Sequence, residues 1–316
     1  MLKEIGGYLE LEKYSLPMLH EGALALNSGR GCIAYLLEQK GINKLALPRF
    51  NCDVVRDTCL EKGAALRCYS VDSRFMPEEV ELEADEWMYI VNFYGQLSRE
   101  VLEAFAAKYP RLIIDNAQAY FAPPVKGADT LYTCRKFFGV PDGAFLYTDA
   151  PEKDLPQDKS HDRMDFVLGR FEFSSSEFYA RSAENNELFS HIPVMRMSKL
   201  TENLLHAIDY EQVKAVRYEN CRLLHRELAA FNMLEVQPAE GAFAYPLMLK
   251  NGAEIRKKLI EKRIFVPTLW PNVLSEQPEN SLEYQFAENI LPLPCDQRYG
   301  AEEMLYIAEE IKKCIS

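Results

Sequence analysis

The first half of the chain alternates between two side-chain periodicities, and that alternation limits the fold more than any other feature. Residues 30–40 (Arg-Gly-Cys-Ile-Ala-Tyr-Leu-Leu-Glu-Gln-Lys) carry apolar side chains at helical spacing and stop at Gly41, a residue suited to a helix end. Residues 44–48 then read as a strand. Residues 53–62 return to a helical pattern, with Val54, Val55 and Leu60 on one side and Gly63 behind them. Residues 65–71 and 87–93 read as strands and 100–109 as a helix, with further short strands at 112–114, 130–133 and 144–147. Strands that are apolar throughout, with helices between them, imply a parallel sheet covered on both faces.

The alternation fades after Asp149. Residues 150–195 hold Pro, Asp and Ser without a clear period and read as loop with short helices. From 198 to 231 a long helical pattern follows (Leu200, Leu204, Ile208, Val213, Val216, Leu223, Leu224, Leu228), with a break near Asp209-Tyr210 and an approximate cap in Ser198 and Glu202. Strands are expected at 243–249, 264–269 and 290–293, then an amphipathic helix at 301–314. At 316 residues the chain suits two domains. The expected fold is α/β: a large domain, 1–195, with a mostly parallel sheet, and a small C-terminal α+β domain, 196–316, entered by the long bridging helix.

Net charge is −12 and no basic run occurs, which argues against a nucleic-acid surface. The eight Cys (32, 52, 59, 68, 134, 221, 295, 314) form no CxxC pair, so no zinc ribbon or thioredoxin-type motif is indicated. Met1-Leu-Lys-Glu-Ile lacks the apolar core of a secretory signal, so these are expected to be reduced thiols in a cytoplasm. No stretch approaches the length that crosses a bilayer. The five His (20, 161, 191, 206, 225) show no ligand spacing, so no metal is expected, and the absence of GxSxG argues against a serine hydrolase.

Two residues carry the chemistry. Arg111-Leu-Ile-Ile-Asp115 reads as a buried strand ending in a carboxylate, which in an open parallel sheet points into the crevice where ligands bind. Lys136 follows in Thr133-Cys-Arg-Lys-Phe-Phe-Gly-Val-Pro-Asp-Gly-Ala144, where Gly139 and Gly143 suit a firm turn and Tyr132, Phe137 and Phe138 suggest an apolar setting for the amine. A lysine that forms a Schiff base and an Asp that holds a pyridine nitrogen protonated suit pyridoxal phosphate chemistry. The plain alternatives are a capping Asp and a solvated surface lysine. Asn27-Ser28-Gly29-Arg30-Gly31 opens the first helix, and the N–H groups there suit a phosphate, with the Thr133 hydroxyl and Arg30 or Arg135 as further donors. A rival reading is the dinucleotide fingerprint Gly29-x-Gly31-x-x-Ala34 with Asp53 beyond it. Against it, 22–27 is a poor strand, and Asp53 falls where a helix cap is expected.

These segments, in this order, resemble the DegT/DnrJ/StrS family of PLP-dependent nucleotide-sugar aminotransferases. The matching stretches are Ser28-Gly29-Arg30, Leu47-Pro48-Arg49-Phe50-Asn51, Tyr94-Gly95-Gln96, Ile114-Asp115-Asn-Ala-Gln118-Ala, Lys136 in its turn, Arg196-Met-Ser198 and Leu291-Pro-Leu-Pro294. The resemblance implies the type I aminotransferase fold and a homodimer with its sites at the subunit interface. It makes Lys136 the Schiff-base lysine, Asp115 the partner of the pyridine nitrogen, Gln118 a neighbour of the ring and its phenolic oxygen, and Gly29 and Arg30 phosphate binders. Ser28, Asn51, Cys52 and Thr133 complete the implied cofactor contacts.

Several positions depart from the family pattern. Tyr120 stands where His is common, Cys52 where an aromatic often stacks on the ring, and Phe137 where Asn often follows the lysine. Leu131 takes the place of a serine that Thr133 could replace, and Val194 that of an Asn reaching the partner's phosphate. They point to a divergent subfamily. The implied activity is amino transfer from an amino acid such as glutamate to a keto-sugar on a nucleotide. Lys136 argues against the family's dehydratases, which carry His there. The alternatives are a degenerate, non-catalytic family member and a dinucleotide-dependent oxidoreductase.

Overall fold

The computed structural model describes residues 5–315, and in it the alternation becomes a layered α/β fold. In chain order come β1 (Leu24–Leu26), α1 (Gly29–Gln39), β2 (Lys44–Pro48), α2 (Asp53–Glu61), β3 (Ala65–Tyr69), β4 (Trp87–Val91), α3 (Arg99–Lys108), β5 (Leu112–Asp115), β6 (Asp129–Thr133) and β7 (Ala144–Tyr147). These strands form one sheet in the order β1-β7-β6-β5-β4-β2-β3. Its five strands from β3 to β6 are parallel, and β7 runs antiparallel to both β6 and β1. All of Leu112–Asp115 is buried, as a central parallel strand with helices on both faces requires.

Local chemistry sets the helix starts. The Gly31 N–H donates to Ser28 Oγ at 3.0 Å and so caps α1. Ser98 caps α3 in the same way.

After β7 come α4 (Asp165–Glu172), α5 (Tyr179–Leu188), α6 (Lys199–Leu205) and α7 (Tyr210–Leu228). Residues 150–195 therefore hold two helices of 8 and 10 residues. The long pattern from 198 divides at the expected place, because Asp209 accepts from the Gln212 N–H and starts a new helix. Ser198 is a full cap of α6, accepting from the Thr201 N–H at 3.1 Å.

The remaining elements are β8 (Tyr245–Met248), α8 (Gly252–Glu261), α9 (Asn272–Glu276), α10 (Leu282–Asn289), β9 (Ile290–Leu293) and α11 (Ala301–Ile315). β8 and β9 make a separate antiparallel pair. One apolar core runs without a break from the large sheet through Leu224 and Leu228 of α7 to Met304 and Ile311 of α11.

Three expectations need correction. The poor strand at 22–27 does form, as three residues, because β7 offers it a free edge with Ala25 opposite Phe145. Residues 264–269 alternate as a strand would, with Ile264 and Val266 buried and Phe265 exposed, but no strand pairs with them. Helix α8 was not expected, although Ile255 and Leu259 occupy one buried face.

Candidate functional site

The carboxyl ends of β4, β5 and β6 bring the chemistry-bearing residues together. Asp115 ends β5, in register between Val91 and Leu131. It is 7% exposed. Its Oδ1 accepts from the Ala117 N–H at 2.8 Å and its Oδ2 from the Tyr89 hydroxyl at 2.8 Å. A carboxylate has acceptor capacity beyond two such bonds. Burial, reinforced by the Asp115 charge, pushes the Tyr89 phenol well above its usual range, so Tyr89 stays a donor.

One turn on, Gln118 Oε1 accepts from the Tyr94 N–H at 2.8 Å. Tyr94 adopts a left-handed φ of 54° to make that bond. The other end of the amide, Nε2, is buried and has no hydrogen-bond partner among the described residues. Asn92 Nδ2 donates to Asn116 Oδ1 at 3.1 Å and ties the ends of β4 and β5 together.

Lys136 lies just past the end of β6. Its side chain is exposed, and its amine has no hydrogen-bond or ion-pair partner among the described residues. The expected apolar setting does not form. Tyr132, Phe137 and Phe138 turn instead into a buried aromatic cluster with Tyr120, Phe145 and Tyr210. The ring nearest the amine is Phe243, 5.8 Å from Nζ to its centre. The Lys136 charge also reaches Cys52, the residue before α2, whose thiol burial pushes up to about 11. Of the two glycines expected to shape the turn, only Gly143 requires glycine on backbone grounds: its φ is 110°, and a Cβ would meet Cys134 Sγ at 3.1 Å.

The start of α1 faces the same turn. A Cβ on Gly29 would lie 2.7 Å from Thr133 Cγ2, so this close approach requires glycine. Thr133 Oγ1 in turn donates to the Ala117 carbonyl at 3.4 Å. Asn27 is 1% exposed, and neither its Oδ1 nor its Nδ2 has a hydrogen-bond partner among the described residues. Asn51 uses Oδ1 on the Cys52 N–H at 2.8 Å and leaves a buried Nδ2 unpaired. Arg30 reaches sideways to the Ser190 hydroxyl. Sequence reasoning did not single out Asn27, Tyr89 or Phe243. Asn27 adjoins the expected anion site and was within reach, whereas the other two depend on contacts across the fold.

The structural context of the dinucleotide reading is absent. α1 leaves β1 at one edge of the sheet and leads to β2 near the other, so no tight βαβ unit surrounds Gly29 and Gly31. Asp53 opens α2 with its carboxylate on the Val54 N–H, as a residue of a helix start. An open hollow lined by Lys40, Trp87 and Asp129 lies at the amino ends of β4 and β6 instead. Its Lys40 amine is already engaged by Asp129 and Asp149. Among the described residues no group of His, Cys, Asp or Glu could hold a metal ion, and no helix is long and apolar enough to cross a membrane.

No protein-family model and no curated protein matches this sequence. Solved structures do match. DesV of S. venezuelae, determined with a ketimine intermediate, gives a TM-score of 0.66 at 15% identity over 92% of this chain and 84% of that one. A DegT DnrJ EryC1 StrS aminotransferase from Brucella abortus gives 0.63 at 15%, covering 94% and 86%. Helicobacter pylori PseC, an aminotransferase involved in pseudoaminic acid biosynthesis, gives 0.63 at 14%, covering 92% and 86%. At such identities the likeness establishes the fold, which is that of these type I aminotransferases.

Proposed function

We propose that this chain is a PLP-dependent aminotransferase that moves an amino group from an amino acid, with glutamate as donor, to the carbonyl of a keto-sugar carried on a nucleotide. The observation that carries this reading is the exposed amine of Lys136, without a hydrogen-bond or ion-pair partner among the described residues, just past β6, whose neighbour β5 ends in the carboxylate Asp115, in a fold shared with sugar aminotransferases. The residues present fit the cofactor. The N–H groups of Gly29 and Arg30, the Ser28 and Thr133 hydroxyls and the cradle a Gly29 Cβ would fill suit its phosphate. Asp115 suits the ring nitrogen, the unpaired Gln118 Nε2 the phenolic oxygen, and Asn51 and Cys52 the ring's surroundings.

When bound, pyridoxal phosphate supplies the electron sink for the carbanion at the donor's α-carbon. Lys136 Nζ is the base that takes the α-carbon proton and later returns one to the sugar carbon that was the carbonyl. Asp115 would lie opposite the ring nitrogen and hold a proton on it. Its bonds from Tyr89 and Ala117 fix the carboxylate in place.

A second copy of the chain belongs to the proposal. Ile5, Tyr8 and Leu9 near the amino end and Phe171 and Tyr179 of α4 and α5 are 74–99% exposed apolar side chains that a homodimer would cover. The eight cysteines are all free, which suits a reducing cytoplasm, and the product would feed polysaccharide or other sugar biosynthesis. The domain division near residue 195 is retained as part of this reading, supported by the separate β8–β9 pair.

The test is the visible absorption of protein with added pyridoxal phosphate, before and after borohydride, for wild type and Lys136→Ala. A yellow band fixed by borohydride in wild type and absent from the variant is expected. No band at saturating cofactor overturns the proposal in favour of a non-catalytic relative.

A further inference from the structure

The Lys136 turn is closed by short bonds of its own. The Phe137 and Phe138 N–H groups both donate to the Cys134 carbonyl at 2.9 Å, and the Cys134 N–H donates to the Gly143 carbonyl at 3.0 Å. Next to the lysine the turn is also held from outside. The Phe137 carbonyl accepts from Arg217 Nη2 at 3.0 Å and from Gln297 Nε2 at 2.8 Å, which uses both of its lone pairs. Arg217 lies on α7 and Gln297 follows β9, 80 and 160 residues from Phe137.

The same guanidinium ties together both walls beside the amine. Arg217 Nη1 donates to the Ala242 carbonyl at 2.9 Å, and Ala242 precedes Phe243, whose ring centre lies 5.8 Å from Lys136 Nζ. The guanidinium carbon lies 4.7 Å from the centre of the Phe137 ring. Arg217 Nε donates to Gln297 Oε1 at 2.7 Å. Because an arginine only donates, Gln297 must turn its oxygen to Arg217 and its Nε2 to the Phe137 carbonyl, so the pair has a single arrangement. Arg217 is 1% exposed, and no carboxylate pairs with it among the described residues. Burial lowers it to about 10, partly offset by Cys295 and Asp296, so it stays a cation at neutral pH.

A buried cation is a costly strut, and this one is spent on the two neighbours of the lysine. Lys136 Nζ itself has no hydrogen-bond or ion-pair partner among the described residues, so its place is set by the backbone it hangs from. A base must sit within hydrogen-bond reach of the proton it takes. We propose that Arg217 and Gln297 are positioning residues, which between them hold the Phe137 and Ala242 carbonyls and so fix the place from which the Lys136 amine works. The catalytic consequence rests on the function proposed above, whereas the holding of the turn does not.

The test compares wild type with Gln297→Glu and Arg217→Lys. Gln297→Glu keeps an oxygen for Arg217 Nε but puts another, in place of Nε2, against the Phe137 carbonyl. Arg217→Lys keeps the charge and loses the fork that reaches three acceptors. In cofactor-free protein, the Phe137 and Phe138 amides should exchange hydrogen about tenfold faster in both variants, with the amides of α1 unchanged. In protein loaded with pyridoxal phosphate, the single-turnover loss of the yellow band with glutamate should slow by between about tenfold and a hundredfold, at an unchanged half-saturating glutamate concentration. Unchanged exchange at Phe137 and Phe138 overturns the proposal, as does faster exchange spread evenly over α1 and the turn, the mark of a plain structural role. A wild-type single-turnover rate in Gln297→Glu also overturns it, and that variant decides alone should Arg217→Lys not fold. If wild type forms no yellow band, the aminotransferase reading fails, and the exchange result by itself decides whether the two residues hold the turn.

Discussion

The two sides of the Lys136 turn differ in how fully their polar groups are satisfied. Behind the turn, Asp142 accepts from the Ser198 N–H and hydroxyl, each at 2.7 Å, and from Thr201. Arg217, 1% exposed, donates to Gln297 Oε1 at 2.7 Å, the Ala242 carbonyl at 2.9 Å and the Phe137 carbonyl at 3.0 Å. In front, the buried Gln118 Nε2, Asn27 amide and Arg163 Nη1 have no hydrogen-bond partner among the described residues, and the exposed Lys136 Nζ has none either. Both sides bury charge, but the Asp142 and Arg217 groups at the rear complete their bonds within the chain. Buried polar groups without partners cost stability, so a folded protein keeps several together where a ligand completes them.

That contrast can be broken by substitutions on either side. Lys136→Ala should reduce turnover to background and remove the borohydride-fixed band. Its unfolding free energy in denaturant should stay within about 0.5 kcal/mol of wild type, as for an exposed side chain without partners. On the rear side, Asp142→Ala should cost about 3 kcal/mol in the same unfolding measurement, because three donors lose a charged acceptor in a buried place. Arg217→Met should cost about 2 kcal/mol, less because the Phe137 carbonyl keeps its bond from Gln297 Nε2. If Arg135→Met cost as much as Arg217→Met, the distinction between the two sides would fail.

The smallest expected effect is one of pH. His20 is 2% exposed, with Nε2 on the Tyr120 carbonyl at 2.9 Å and Nδ1 facing the Tyr147 hydroxyl at 3.2 Å. Burial lowers it from 6.5 to about 4, partly offset by the Tyr120 carbonyl. Between those values the unfolded chain binds the proton and the folded one does not. The stabilisation is therefore present above pH 6.5 and lost as pH falls towards 4. At pH 5.5 the loss should be about 1 kcal/mol relative to neutral pH, and absent from His20→Phe, as read from denaturation at both pH values.

Much of this molecule was legible beforehand because its signals are local. Helical spacing at 30–40, the all-apolar run ending in Asp115 and the break at Asp209 each depend on neighbours a few residues apart. The turn around Lys136 was legible from its glycines, but the lysine's surroundings were not. Phe137 and Phe138 adjoin it in sequence, yet the turn points them away into the cluster around Tyr120 and Tyr210. A three-residue strand at Leu24–Leu26 was weak by itself and exists because an edge was free. At 264–269 the alternation was right, and no partner strand was present.

By itself, then, the sequence determined most of the strand and helix order and the carboxylate at the end of β5, since periodicity and turn chemistry are written over short stretches. Only the tertiary structure decided which polar groups would be satisfied. That Arg217 would be saturated, and that Arg135 and Arg163 would both lie over the Phe189 ring, depends on segments far apart in the chain meeting in space. No local pattern encodes such meetings, because each guanidinium's neighbours are chosen by how the layers close over the sheet.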